Sequence, residues 1–347
     1  MSNKKQSITT IAKLAGVSPA TGSRVVNHPE SVKAETLRKV QEVMHEFGYE
    51  VNKTPKKEDV DNPIILVIHP GFGNPFFGNV MKGIKVFASA LGFTVLVYPE
   101  RIPHSPMELV SRLREFRNIS GIITLSSRLT PQLLEVLDKY APVIQCYEYT
   151  PKTHVPYVCI NDYNIARSIT NYLLASGRKK IAFINGPLTF NFARERLRGF
   201  EASLMLHNVT IPQSWKISLP DISFDIGYSA ICQLLSNPSN RPNAIIGVSD
   251  VFAVSALRAA RRFNMQVPQD LCVFGFDNID ISSLVTPSIS SINQPAFQLG
   301  YTAASMLIER INDPDTLPLP VQLDAEMILR ESCIVLDKHP RNGAEFP

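Results

Sequence analysis

The sequence predicts an all-α helix-turn-helix head joined to an α/β body of two lobes, each built on a parallel sheet. Three observations predict it. Residues 9–27 carry the start, turn and cap signals of two short helices. Positive charge is concentrated at that end. Residues 1–57 hold ten Lys and Arg against five Glu, a balance of +5; the whole chain is +4, so the other 290 residues sum to −1. From Pro63 onward, short continuous apolar runs alternate with helical stretches, the pattern of parallel strands covered on both faces.

In the first helix Ile11, Leu14 and Ala15 form an apolar stripe. Gly16 supplies the turn, because glycine takes a left-handed backbone without steric cost. Ser18 caps the second helix with its hydroxyl, and Pro19 sits at the first helical position, where no N–H is needed. Thr21, Ser23, Arg24 and Asn27 make the outer side of that helix polar. The start of such a second helix faces base edges in a DNA major groove. This puts Pro19, Ala20 and Arg24 at the bases: Arg24 can hold a guanine edge with two hydrogen bonds, and the other two offer apolar contact to a thymine methyl. Thr21 and Ser23 suit phosphates, and Thr10, Ser18 and Asn27 complete the expected DNA-facing set. The alternative is a small amphipathic domain with a solvated basic face. The coincidence of turn, cap and charge in one segment favours DNA. Gly22 inside the second helix costs about 1 kcal/mol relative to alanine, so the head is expected to be marginally stable on its own.

A third helix is expected over residues 34–47, with Leu37, Val40, Met44 and Phe47 at helical spacing and Gly48 ending it. Residues 1–50 are then the head. Residues 51–62 are polar and charged, contain Pro55, and read as a linker in which Lys53, Lys56 and Lys57 can follow phosphates. The body covers 63–334, and 335–347 read as a loose tail. Strands are expected at 64–68, 94–98, 121–125, 143–146, 157–160, 180–184, 244–248 and 271–276, with a helix at 76–91. That is too much for one sheet, hence two lobes.

Composition narrows the function. Hydrophobic content of 44% and charge of 19% are those of an ordinary soluble protein. No apolar run approaches the ~20 residues of a membrane helix, and the polar, basic start is unlike a secretory signal, so a cytoplasmic location with no membrane contact is expected. Cys146, Cys159, Cys232, Cys272 and Cys333 lie far apart without a CxxC pair, and read as reduced core residues. There is no Gly-x-Ser-x-Gly elbow, P-loop or His-Glu-x-x-His, and Gly71 and Gly73 lack the third glycine of a dinucleotide loop. Asp277 with Asp280 is a conceivable metal pair, but no His or third carboxylate is near in sequence. The expectation is a non-enzyme with no cofactor and no metal. A plain solute-binding protein and an α/β enzyme remain the alternatives; the basic head argues against the first.

Ile11-Ala12-Lys13-Leu14-Ala15-Gly16-Val17-Ser18, then Thr21, Ser23-Arg24-Val25-Val26-Asn27, Val32, Glu35-Thr36, Val40 and Phe47-Gly48-Tyr49, resemble the head of the LacI/GalR family. The resemblance extends over essentially the whole chain. It implies a homodimeric transcriptional regulator, a repressor, reading a pseudo-palindromic double-stranded DNA operator and responding to a small-molecule effector. It also implies a periplasmic-binding-protein-like body with three crossings between lobes, near 161, 289 and 322. The first lobe is then about 63–161 and 290–321, and the second about 162–289 and 322–334. Two departures stand out. Gly22 occupies the place of an inward-packing valine. The linker lacks the leucine with which the family's hinge helix wedges open the minor groove, and Pro55 interrupts any helix there. A loose tether is expected, with regulation through a second DNA-bound protein as one consequence.

The resemblance also implies an effector site between the lobes, at the carboxyl ends of the strands. Phe76 and Phe77 follow Gly73-Asn74-Pro75 and place aromatics against the ligand. Arg196, within Gly186-Pro187…Arg196-x-x-Gly199-Phe200, reaches it with a fixed fork of donors. Ser249 in Val248-Ser249-Asp250 faces it, with Asp250 read as the cap of the next helix. Asp277 in Phe274-Gly275-Phe276-Asp277-Asn278 accepts from two hydroxyls. Gln294 in Ser291-Ile292-Asn293-Gln294-Pro295 and Asp162 are further candidates at the crossings. Helix capping or crossover bonding is the alternative for each polar residue. Phe76, Phe77, Phe190, Phe192 and Phe224 together suggest a stacking slot for a planar ring. Ser127-Arg128-Leu129, Glu148-Tyr149 and residues 276–280 resemble nucleoside-responsive members of the family. The expected effector is therefore a nucleoside or a sugar.

Overall fold

The computed structural model describes residues 8–27, 32–46, 62–71, 74–99, 106–113, 116, 118–125, 129–314 and 317–334. The chain forms two compact units, residues 1–61 and 62–347. Lys53, the linker stretch 51–61 and the tail 335–347 lie outside the described residues, as do the side chains of Ala20, Ser23 and Asn27.

The first unit contains α1 (Ile8–Leu14), α2 (Pro19–Asn27) and α3 (Ala34–Glu46). Its core is Ile11, Ala15, Val25, Val40 and Met44, with Val17, Val32, Leu37 and Val43 packed around it. Gly16 takes a φ of 68° between α1 and α2, and the Val17 N–H closes the turn on the Ala12 carbonyl at 2.9 Å. Ser18 Oγ accepts from the Thr21 N–H at 3.1 Å and caps α2. Leu14 corrects the expected stripe, being 50% exposed, while Ala12 is buried instead. At 100° per residue, Ala12 and Ala15 centre the buried face more than 90° away from Leu14. Gly22 is buried in α2.

The second unit holds two sheets. The first is six-stranded, ordered β11-β5-β4-β3-β1-β2 and parallel throughout. It comprises β1 (Ile64–His69), β2 (Thr94–Pro99), β3 (Ile119–Thr124), β4 (Val143–Cys146), β5 (Tyr157–Ile160) and β11 (Val321–Leu323). Its helices are α4 (Phe76–Ala90), α5 (Pro106–Leu113), α6 (Pro131–Tyr140) and α12 (Ala296–Asn312). The second sheet is four-stranded, parallel and ordered β7-β6-β8-β9. It comprises β6 (Ile181–Asn185), β7 (Lys216–Ser218), β8 (Ala244–Gly247) and β9 (Cys272–Phe274), with α7 (Asp162–Ala175), α8 (Asn191–Leu206), α9 (Phe224–Leu235), α10 (Asp250–Arg262) and α11 (Ile281–Leu284). β1, β4, β6, β8 and β9 are buried almost end to end, as strands with helices on both faces must be.

The chain passes between the lobes at Asn161, along β10 (Ser291–Asn293) and along β12 (Glu326–Ile328); the last two pair antiparallel. The third crossing lies later than the expected 322. Gln322 and Leu323 pair with Cys159 and Ile160 at the edge of the first sheet, so the chain leaves that lobe only after Leu323. The last described residues lie in the second lobe, where the Ser332 carbonyl accepts from the Val273 N–H at 3.1 Å.

Candidate functional site

The carboxyl ends of both sheets face a cavity of about 690 Å³. From the first lobe come Pro70, Gly71, Asn74, Pro75 and Phe77 after β1, Leu125 after β3, and Tyr147 and Glu148 after β4. From the second come Phe190 and Phe192 at the start of α8, and Asp221, Ile222, Ser223 and Phe224 before and into α9. Val251 and Val254 of α10, with Ile279 and Ile281, close it. This is the crevice in which open α/β sheets bind ligands, because the strand-end loops are the only chain free to vary there.

One aromatic row runs across the lobes. Phe77 meets Tyr147 edge to face at 5.5 Å, Tyr147 meets Phe192 at 5.6 Å, and Phe192 stacks on Phe190 at 5.4 Å. Tyr147 holds a φ of 70°, a conformation bulky residues avoid unless their surroundings impose it. Burial also pushes its hydroxyl pKa upward.

At the cavity wall, Glu148 and Asn74 each carry a polar contact from the first lobe to the second. The buried Glu148 carboxylate accepts from the Asn191 N–H at 2.9 Å and the Phe192 N–H at 2.7 Å. It thus caps α8, whose own N-cap residue, Phe190, has no capping side chain. Asn74 Nδ2 donates to Asp277 Oδ2 at 3.2 Å, while Asn74 Oδ1 accepts from the Phe76 N–H at the start of α4.

Beneath the cavity wall lies a polar floor. Asp277, at φ 105°, also accepts from Ser249 Oγ at 2.9 Å and Gln294 Nε2 at 2.6 Å. Arg196 is 0% exposed. Its Nε donates to Asp162 Oδ1 at 2.7 Å, its Nη1 donates to the Val248 carbonyl at 2.7 Å, and its guanidinium lies 3.5 Å from the centre of the Phe276 ring. Arg196 Nη2 and Gln294 Oε1 are buried and have no hydrogen-bond partner among the described residues. Burial pushes the Asp162 carboxyl above its ordinary range, against the pull of Arg196.

The structure therefore sorts the expected residues. Phe77, Phe190, Phe192 and Phe224 lie on the wall of the large cavity. Asp162, Arg196, Ser249, Asp277 and Gln294 lie below it, bonded to one another and to the chain. Phe76, Asp277 and Gln294 line a smaller, adjoining cavity of about 390 Å³. The expected cap at Asp250 is corrected. Ser249 caps α10, accepting from the Val251 N–H at 3.4 Å. Asp250 instead accepts from Ser291 Oγ at 2.6 Å and the Ile279 N–H at 2.9 Å, stitching the 277–279 loop to β10. Tyr147 and Glu148 were not expected as wall residues; their position immediately after β4 is the signal that marks them. Among the described residues, no group of three or more His, Cys, Asp or Glu is placed to hold a metal ion, and no helix is long and apolar enough to cross a membrane.

The two floor carboxyls predict a pH dependence. Burial raises the Asp250 pKa to about 8 and the Asp277 pKa to about 6, from an ordinary 3.8. Both folded values exceed the unfolded one, so folding takes up protons. The resulting stability is complete below pH 4 and disappears as pH rises through about 6 for Asp277 and about 8 for Asp250. Melting temperatures of the body should therefore fall between pH 5 and 8. Asp250→Asn mimics the protonated group and should remove roughly 1 kcal/mol per pH unit of that dependence. An unchanged slope in the variant would refute the assignment to Asp250.

In the head, Thr10, Ser18, Pro19 and Arg24 are exposed and Thr21 half-buried, so the described part of the expected DNA-facing set is accessible. Comparison with known proteins supports both units. Residues 7–52 match the pattern of bacterial regulatory proteins of the lacI family, and residues 170–333 match a periplasmic binding protein-like domain. The chain is 31% identical over 340 residues to the HTH-type transcriptional repressor CytR of Escherichia coli K12, covering 96% of this chain and 98% of that protein. It is 28% identical over 334 residues to the repressor PurR of Aliivibrio fischeri, covering 94% and 98%. A solved complex of the transcriptional regulator CelR with cellobiose superposes with a TM-score of 0.71 at 27% identity, covering 94% of this chain and 99% of that one. Head, two-lobed body and end-to-end similarity agree, and the chain belongs to the LacI family of bacterial regulatory proteins.

Proposed function

We propose that this chain is a cytoplasmic, homodimeric repressor that reads a pseudo-palindromic operator and whose operator affinity is set by a nucleoside or a sugar held between its lobes. The observation that carries the reading is the cavity itself. Its wall draws on both lobes, so a ligand there contacts both and binds their two arrangements unequally. Unequal binding is all that coupling requires. The cellobiose held by CelR supports a ligand of sugar or nucleoside size. In this reading Phe77, Phe190 and Phe224 stack on the ligand's ring. Asp277, Ser249, Gln294, Arg196, Asp162 and Phe76 hold the floor and report lobe closure through the Asn74 bridge. Two copies of the head, each using Arg24 on bases and Thr21 on phosphates, read the two half-sites.

Gel retardation tests this. The full chain should retard specific genomic fragments at low ionic strength, and retardation should weaken as salt rises. Residues 62–347 alone should lose it. At least one nucleoside or sugar should change the operator affinity about tenfold, within the usual range of coupling. If no fragment is retarded with or without these compounds, the proposal fails.

A further inference from the structure

Resting on the reading of the large cavity as the effector site, we infer that it takes an uncharged, ring-bearing ligand and rejects the phosphate ester of that ligand, with Glu148 enforcing the rejection. In parallel α/β folds an anion binds at helix N-termini beside the strand ends, where free N–H groups and the positive end of the helix dipole converge. Five helices begin at this cavity: α4, α8, α9, α10 and the four-residue α11, whose Ser282 and Ser283 N–H groups are taken by the Ile279 and Asp280 carbonyls. Of the four longer ones, three already have N–H groups engaged. Asn74 Oδ1 takes the Phe76 N–H of α4 at 3.0 Å, and Ser249 Oγ takes the Val251 N–H of α10. At α8 both Glu148 oxygens occupy the first two N–H groups. A phosphate arriving there meets a fixed negative charge in place of donors. The fourth helix, α9, carries Asp225 in its first turn, with Asp221 on the wall just ahead of it.

The side chains agree. Among the described wall residues the only charged ones are Glu148 and Asp221. The nearby guanidinium of Arg196 is absent from the wall and fully buried: Nε and Nη1 are bonded to Asp162 and the Val248 carbonyl, Nη2 is buried without a partner among the described residues, and the Asp162 carboxylate beside it counters the charge. What the wall does offer is ring faces, from Phe77, Tyr147, Phe190, Phe192 and Phe224. A flat ring gains dispersion and burial against them, and a neutral ligand loses nothing to the two carboxylates.

Calorimetric titration of the full chain tests this. The probes are the common ribonucleosides, ribose and cellobiose, compared with the nucleoside 5′-monophosphates and ribose 5-phosphate. At least one neutral probe should bind, and its phosphate ester should bind about 100-fold more weakly. In Glu148→Gln, which keeps the size and one acceptor but removes the charge, that ratio should shrink to about tenfold or less. Because the comparison is a ratio within one variant, a general loss of stability does not imitate it. An ester binding the native chain within threefold of its neutral parent, or better, overturns the inference and leaves the effector site standing. So does an unchanged ratio in Glu148→Gln. Silence of every probe overturns the effector-site reading, and this inference with it.

Discussion

Replacing Arg196 with leucine should destabilise the body by about 3–5 kcal/mol, the usual cost of removing one partner from a buried ion pair. Three losses coincide. Asp162, in the first turn of α7, keeps a buried carboxyl with no counter-charge. The Val248 carbonyl at the end of β8 loses its donor, and the Phe276 ring loses the cation stacked on it. These groups sit on α7, β8 and the loop after β9, so one side chain from α8 joins the elements that end under the cavity. Much of the cost is the stranded charge of Asp162 and not the lost attraction. Adding Asp162→Asn to Arg196→Leu should therefore restore part of the stability, whereas independent effects would add. Denaturant unfolding of the single and double variants measures this. A single-variant loss under about 1 kcal/mol would mean that the pair contributes little.

The head was largely legible because its signals are local. Gly16, Ser18 and Pro19 act within one turn of themselves, and all three do in the structure what their chemistry requires. The long buried strands were legible for a related reason: an uninterrupted run such as Ile64-Ile65-Leu66-Val67-Ile68 has few other places to go. β9, three residues long, showed within the apolar run 271–276, but four other three-residue strands, β7, β10, β11 and β12, escaped. Each is too short to show a period, and its identity comes from a partner elsewhere, as β11 takes its place from β5. The site divides along the same line. The family resemblance points to Phe77 after the first strand, and Phe224 stands out only as an aromatic, because β7 ahead of it leaves no pattern to read. Neither signal shows that Glu148 caps a helix 43 residues away in the other lobe, or that the donors to Asp277 come from 17, 28 and 203 residues away. Candidate polar residues are visible as residue types near strand ends. Which of them face the cavity and which are consumed by one another depends on long-range pairing.

Gly300→Ala should cost the body about 2–3 kcal/mol through overpacking, although alanine is the better helix former. Gly300 in α12 and Gly83 in α4 mark where these helices touch backbone to backbone. A Cβ on Gly300 would stand 2.0 Å from the Val80 carbonyl oxygen, and one on Gly83 would stand 2.1 Å from the Phe297 carbonyl oxygen. Neither obstacle is a side chain that can swing aside, so the helices must separate. Gly78 supplies the control. It lies in α4 too, is exposed, and a Cβ there meets nothing within 4 Å. Gly78→Ala should stabilise by about 0.5–1 kcal/mol, from propensity alone. Opposite signs for two Gly→Ala changes in one helix pair would isolate the close approach as the cause; equal signs would refute it. The approach also bears on the site. α4 starts at Phe76, next to Asn74 and ahead of Phe77, and α12 starts two residues after Gln294. Pushing the helices apart displaces the first-lobe side of the Asn74–Asp277 bridge and one end of the aromatic row. Gly300→Ala should therefore weaken effector binding along with stability, while Gly78→Ala leaves it unchanged.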